Sequence, residues 1–241
     1  MSTLKTQAIV IKRRNIGESD RILTLFTQNE GIICAIAKGS RKPKSRFASS
    51  TNLFTIGNYI LSTGKTFFMV SEVEIEDSYY LSNETNLDSI IITDAMAETI
   101  LRLFPEKYPI PDIYHLFTDS VKASKGVQIN LVYIYFISHL LKKLGSFPEL
   151  NFCINCREKL SNKVYFSSSA GGLYCMNCQK DASSIVILNN NSIKLWRILS
   201  ECEIEKLPRI RVEDDVINDL FNMINGFLSI NTQLELRSLK L

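Results

Sequence analysis

The sequence predicts an α+β chain: a small five-stranded barrel over residues 1–80, then a helical domain over 81–241 with a four-cysteine module inserted at about 150–182. Three observations carry this. Five β-branched runs fall within the first 80 or so residues. Near Asn86 the apolar period lengthens from two to 3.6. Finally, two Cys-x-x-Cys pairs, CINC at Cys153 and Cys156 and CMNC at Cys175 and Cys178, are separated by eighteen residues.

The first strand is predicted at Gln7–Ile11 (QAIVI), which turns basic at Lys12, Arg13 and Arg14. DRILTLFTQ follows a turn at 15–19, Asn29-Glu30-Gly31 punctuates, and GIICAIAKG forms the third strand. The stretch SRKPKSRFASS, rich in serine and basic residues around Pro43, reads as a long exposed loop. NLFTIGNYILST and KTFFMVSEVEIED then give two strands across a short connection at Gly64. Five strands with a long loop after the third predict a closed antiparallel barrel of the oligonucleotide-binding type, the OB-fold.

Beyond Asn86, Leu87, Ile90, Ile91, Asp94, Ala95, Glu98 and Leu101 outline a helix that Pro105, Pro109 and Pro111 terminate. Asp112–Lys122 and Val127–Leu144 follow as helices. Val127–Leu144 is apolar on nearly every face, which predicts the centre of a helical bundle, while its polar interruptions argue against a membrane span. Gly145 and Pro148 stop it. Helices resume at Ser192–Ser200 and Asp214–Phe227, and TQLELRSLKL allows a short terminal one.

The cysteine spacing fits a four-thiolate zinc site, with Val164–Phe166 as a short strand and Gly171-Gly172 supplying positive backbone angles for the return to Cys175. Disulfides or a redox pair are the competing readings. The opening MSTLKTQAIVIKRR lacks the apolar segment of an export signal, so a reducing cytoplasmic compartment is expected. Four thiolates leave no open coordination position, so the ion is expected to hold structure and not to catalyse. Cys34 and Cys202 lie in apolar surroundings and read as core residues.

The total charge is +3, unevenly spread. Residues 1–65 hold eleven basic against three acidic side chains, a net of +8, which leaves −5 for the remainder. That asymmetry points to a polyanion at the N-terminal end. The candidate phosphate contacts are Lys12, Arg13, Arg14, Arg21, Lys38, Arg41, Lys42, Lys44 and Arg46. Phe47, Phe54, Tyr59, Phe67 and Phe68 lie nearby and either fill the barrel or stack on bases, with filling favoured. Catalytic patterns fail one by one. Gly64-Lys65-Thr66 ends like a phosphate loop, but Tyr59 stands where that loop needs glycine. Glu72, Glu74 and Glu76 alternate on one strand face, and His115 and His139 have no nucleophile or carboxylate motif beside them. No enzymatic activity is predicted.

AIVIKRRNIGESDRILTLFTQNEG, AKGSRKPKSRF and the cysteine module ending GGLYCMNC together resemble the RecO family of bacterial recombination mediators. The resemblance implies a cytoplasmic, nucleoid-associated DNA repair protein. Such a protein binds single- and double-stranded DNA, anneals complementary strands and contacts the C-terminal tail of single-strand binding protein. With RecR it helps load RecA on coated DNA. The nine basic residues above fall in the matching motifs. A zinc-ribbon transcription regulator is the alternative, although the basic loop shows no recognition-helix pattern.

Overall fold

The computed structural model describes residues 2–79, 87–160, 164–181, 185–187, 189–232 and 236–239. It separates into two compact units, Met1–Lys125 and Gly126–Leu241. The expected domain boundary at residue 80 falls outside the described residues, and helices α1 (Leu87–Leu103) and α2 (Pro111–Ala123) group with the barrel.

In the first unit five strands, β1 (Thr3–Ile16), β2 (Asp20–Thr27), β3 (Gly31–Ala37), β4 (Thr55–Ser62) and β5 (Phe68–Ser78), close a barrel in the order β1-β2-β3-β5-β4. This is the predicted OB-fold architecture with one correction: β3 and β5 pair parallel, at Ala35↔Phe68 and Ile36↔Met69. β2 and β4 both run antiparallel to β1, and β3 and β5 run antiparallel to β2 and β4 in turn, so β3 and β5 meet in the same direction. Strand β1 is also far longer than the predicted Gln7–Ile11 and carries Lys12, Arg13 and Arg14 within the ladder.

Alternate residues fill the barrel, among them Ala8, Val10, Leu23, Leu25, Ile33, Ala35, Tyr59 and Leu61. The opposite row is covered too. Phe26, fully buried on β2, meets Tyr114 edge-on at 5.5 Å and Phe117 at 6.1 Å, both from α2 (Pro111–Ala123). Pro111 therefore starts α2 instead of ending α1, as its missing N–H allows at a first helical position.

In α1 (Leu87–Leu103) the helix is where the sequence places it but its buried face is not. Leu87 is 70% exposed, whereas Ser89, Ile92, Thr93, Met96, Thr99 and Ile100 are buried. Three consecutive isoleucines leave the face undecided. Two threonines settle it by donating to the carbonyls one turn back, Thr93 to Ser89 at 2.7 Å and Thr99 to Ala95 at 2.8 Å.

The segment SRKPKSRFASS is exposed over most of its length, as its composition predicts, but it is a folded run of turns anchored in the barrel. Successive turns bond Lys42 N–H to Gly39 O, Ser45 N–H to Lys42 O and Ala48 N–H to Ser45 O, at 3.0–3.2 Å. Ser40, Phe47, Ser50 and Thr51 are buried, and Phe47 belongs to the barrel's own core. Tyr59, inside the barrel, donates to Ser50 O at 2.9 Å, which ties the segment's end to the interior.

The second unit is built on α3 (Ile129–Lys143), whose residues 131–138 are all buried, as its near-uniform apolarity predicts. It packs with α4 (Asn190–Glu201) and α5 (Asp214–Thr232). Trp196 is fully buried, donates to Ser138 Oγ at 2.9 Å, and meets Phe147 and Phe166 edge-on, each at 5.5 Å. Of the possible terminal helix only a single turn, Arg237–Leu239, lies among the described residues.

Because Phe47 fills the barrel end, Phe47→Ala is expected to destabilise the protein by about 3 kcal/mol. Chemical denaturation checks this, and a purely solvent-exposed segment would give less than about 0.5 kcal/mol.

Candidate nucleic-acid interface and metal centre

The nine basic residues divide into two groups, and the division starts in β1. There the register slips between Val10↔Leu25 and Lys12↔Thr24, so Ile11 is an extra residue, a bulge. After it, Arg13 stands opposite the core residue Leu23, on the inward row at the barrel's end, while Lys12 and Arg14 face out and are exposed.

Arg13 donates to Asn52 Oδ1 at 2.7 Å, and Arg21 donates to Thr51 Oγ1 at 2.6 Å. Both arginines are half-buried and hold the segment after β3 against the barrel. Burial, and then the neighbouring charges of Arg13 and Arg41, press the Arg21 pKa below its ordinary value. Arg41 donates to Gly17 O at 3.2 Å and Arg46 to Ser71 O at 2.9 Å. Ser71 is itself an extra residue in β5, between the pairs Ile60↔Glu72 and Leu61↔Val70, so Arg46 caps a bulge carbonyl while lying 4.7 Å over the Phe47 ring. Lys38, Lys42 and Lys44 are exposed on the turns.

Asp20 pins this end from below. Its Oδ1 accepts from Gly39 N–H at 2.8 Å and from Ser19 Oγ at 3.0 Å. The Gly39 bond first, then Ser19, and more weakly the charges of Lys38 and Lys42, keep its carboxyl below the usual range. Lys12, Arg14, Lys38, Lys42 and Lys44 are thus presented to solvent by a fixed framework. Arg13, Arg21, Arg41 and Arg46 carry structural bonds as well as charge.

The aromatics divide similarly. Phe47, Phe54 and Tyr59 are buried at 7%, 0% and 1% exposure, so for these three filling prevails. Phe67 and Phe68 remain half-buried. Glu76, at a second bulge of β5, accepts from Gln7 at 2.7 Å and Asn58 at 2.9 Å and serves structure. The histidines also hold structure: His115 Nε2 contacts Gln28 Nε2 at 3.2 Å, and His139 Nε2 contacts Leu199 O at 3.1 Å.

In the second unit, β6 (Val164–Ser167), β7 (Gly172–Cys175) and β8 (Ile185–Ile187) form a sheet in the order β7-β6-β8 that brings the two cysteine pairs together. The third strand, β8, lies beyond the strand expected at Val164–Phe166 and the return to Cys175. Gly171 turns the chain with φ +69°, but Gly172 has no positive φ. Its role is room, since a Cβ there would lie 2.5 Å from Ile154 Cγ2 and 3.0 Å from Glu149 O. Arg157, at φ +63°, closes the first pair's turn with its N–H on Cys153 O at 2.9 Å.

The Sγ atoms of Cys153, Cys156, Cys175 and Cys178 all lie within 4.8 Å of one another, and Cys156 and Cys175 are 3.8 Å apart. A disulfide needs about 2.05 Å. Four thiolates around an ion at about 2.3 Å would be spaced about 3.8 Å apart, so the cluster fits a tetrahedral metal site. Burial opposes ionisation of Cys153, but backbone N–H groups of Cys156, Cys175 and Asn155 outweigh it and bring the thiol down to about 6. The Glu158 N–H favours the Cys156 thiolate, yet burial and the adjoining sulfurs push that thiol up to about 12. The first charge is therefore easy to form and the later ones need a cation among them. Among the described residues no other group of three or more such ligands is present.

Cys175→Ser is expected to lower metal affinity by more than the roughly 100-fold typical of losing an outer partner, and to lower the melting temperature of the second unit. Elemental analysis should give one ion per wild-type chain. No metal in wild type, with identical melting of the mutant, would refute the assignment.

Comparison with known proteins completes the picture. The family described as "Recombination protein O N terminal" matches residues 1–79, and "Recombination protein O C terminal" matches residues 84–240. The chain is 31% identical over 241 residues to a Thermoanaerobacter protein named DNA repair protein RecO, covering 99% of this chain and 96% of that one. A protein of the same name from Desulfitobacterium hafniense is 36% identical over 217 residues, covering 88% of this chain and 78% of its own length. One from Clostridium novyi is 28% identical over 243 residues, with 100% and 94% covered. With both of its family regions matched along nearly the whole length, the chain belongs to the RecO family of DNA repair proteins.

Proposed function

We propose that the protein is a recombination mediator without catalytic activity, which binds single- and double-stranded DNA and anneals complementary strands. With RecR, it helps load RecA onto DNA coated by single-strand binding protein. The observation that carries this is the display of cations by the barrel's first three strands and the segment after them, where seven of the nine, Lys12, Arg14, Lys38, Arg41, Lys42, Lys44 and Arg46, are exposed. Such an array neutralises phosphates and releases counterions whatever the sequence. Annealing needs the same property, because two strands must be held by their backbones while their bases stay free to pair. The outer β2–β3 face and the β4–β5 loop are the surfaces by which OB-folds engage oligonucleotides.

The metal is zinc, held by Cys153, Cys156, Cys175 and Cys178 in a structural site. Its thiolate set and tetrahedral spacing suit zinc above harder ions. The four ligands fold the module against Trp196 through Phe166, and the ion takes no part in binding chemistry. The protein works in the cytoplasm at the nucleoid. Among the described residues no helix is long and apolar enough to cross a membrane.

For the tail of single-strand binding protein, the second unit offers a cleft of about 230 Å³ lined by Val127, Leu131, Leu207, Pro208, Ile210 and Arg211. An acidic peptide ending in apolar residues needs a cation beside apolar side chains, and this mixed polar and apolar cleft sets Arg211 beside Val127, Leu131 and Leu207. Arg211→Glu is expected to weaken binding of a tail peptide at least tenfold by anisotropy. Unchanged affinity would place the tail elsewhere.

The DNA reading is tested by salt titration. About six contacts to a single strand predict a slope of log affinity against log salt of roughly −4. Replacing Lys38, Lys42 and Lys44 by alanine should flatten the slope by about 2 while leaving the melting temperature unchanged. Arg21→Ala, by contrast, should lower the melting temperature, since it removes the bond to Thr51. Retained slope and affinity in the triple mutant would overturn the assignment.

A further inference from the structure

The barrel wall is incomplete along one edge of β3. Phe68 and Met69 of β5 pair with Ala35 and Ile36. Further back on the strand the edge passes to the linker between α1 and α2, where Glu106 bridges Ile32 and Lys107 N–H donates to Ile32 O at 2.9 Å. Between these two attachments sits Cys34, and there the wall opens into a cavity of about 310 Å³. Cys34, Lys65, Phe67, Phe68, Glu106 and Lys107 line it.

The lining narrows the choice of ligand. Phe68 packs toward the barrel core, which leaves the half-buried Phe67, in the β4–β5 connection, as the ring available to the cavity. A purely apolar ligand would gain nothing from two ammonium groups. A bare anion would be repelled by Glu106, and a metal cation by Lys65 and Lys107. A flat ring bearing N–H donors and joined to a phosphate satisfies all of them at once. The volume lies at the lower end of the range for ligand pockets, about 300–1,000 Å³, and suits one base. The cavity also adjoins the exposed cations of β1: alongside burial and Glu106, the charges of Arg14 and Lys12 act on the Cys34 thiol.

We propose that this cavity receives one unstacked nucleobase from a bound single strand, with Phe67 as its stacking surface and Glu106 as a hydrogen-bond acceptor that favours amino-bearing bases over thymine. The proposal rests on the DNA-binding reading above and adds a base contact to a backbone-driven interface. A carboxylate only accepts hydrogen bonds, so cytosine N4–H₂ suits it, whereas thymine presents O4 at the same position. Lys65 and Lys107, at the cavity, neutralise the flanking phosphates.

The test uses the full chain with fluorescein-labelled (dC)20 and (dT)20, by anisotropy at fixed salt. Wild type is expected to bind (dC)20 about 3- to 10-fold more tightly, and Glu106→Gln to bring that ratio toward one. Phe67→Ala should weaken both oligonucleotides about 5- to 10-fold with the salt slope and melting temperature unchanged, and Phe67→Tyr should restore binding. A wild-type ratio within twofold, or a ratio insensitive to Glu106→Gln, overturns the base pocket while leaving the backbone reading intact. Failure of wild type to bind either strand at low salt would overturn both.

Discussion

One extra residue in β1 sets the chemistry of the whole N-terminal unit. In an extended strand side chains alternate, so a shift of one position exchanges the two faces. Without the bulge at Ile11, Lys12 and Arg14 would fall on the inward row with Val10, and Arg13 would point to solvent. With it, two cations face outward, and the one turned inward reaches Asn52 at the barrel's end. The bulge is itself held in place: Phe54 N–H donates to Val10 O at 2.8 Å, so the last turn of the β3–β4 segment is fastened at the point where β1 slips. The register of one strand, the docking of the longest connection and the display of charge are thus a single arrangement.

That dependence explains what could be read from the sequence and what could not. The four cysteines were legible because their coordination is local: two tight turns and a return strand are enough to bring four sulfurs together. The near-uniform apolarity of α3 was equally plain, since no alternative face exists for it. The buried face of α1 was not, because a threonine whose hydroxyl bonds back to its own helix behaves as an apolar residue and composition does not announce it. Nor was the docking of the 40–50 segment. Its serines and lysines have the composition of a solvated loop and most of them are exposed, but its docking rests on Phe47 and on two arginines from β1 and β2 that hold its end. Interactions between residues some thirty positions apart leave no local pattern. The bulges at Ile11, Ser71 and Glu76 are similarly silent in sequence, yet they decide which way cations and carboxylates face.

The same contacts bear on how charge is used. Arginine donates through several N–H groups in a fixed planar fork, so it can bond the fold and still present positive potential. Arg13, Arg21, Arg41 and Arg46 all donate to groups of the fold, whereas Lys38, Lys42 and Lys44 are exposed point charges on flexible stems. Substitutions at the two kinds of site should therefore separate stability from affinity, although both lie in one basic cluster.

The parallel seam between β3 and β5 is the remaining constraint, and it links the barrel to the helices that follow. Because β5 covers only Ala35 and Ile36, the rest of that edge needs another partner, and the α1–α2 linker supplies it. Gly31 shows how closely the linker lies: a Cβ there would come within 2.2 Å of Tyr108 O, so no larger residue fits. The barrel cannot be completed by residues 1–79 alone if its β3 edge and the outer face of Phe26 are to be buried. The first unit therefore extends to Lys125, whose ammonium pairs with Asp77 at the end of β5. Between these two partners, at Ile32 on one side and Ala35 and Ile36 on the other, the edge of β3 is left open at Cys34, where Lys65 and Lys107 stand at the mouth of the gap.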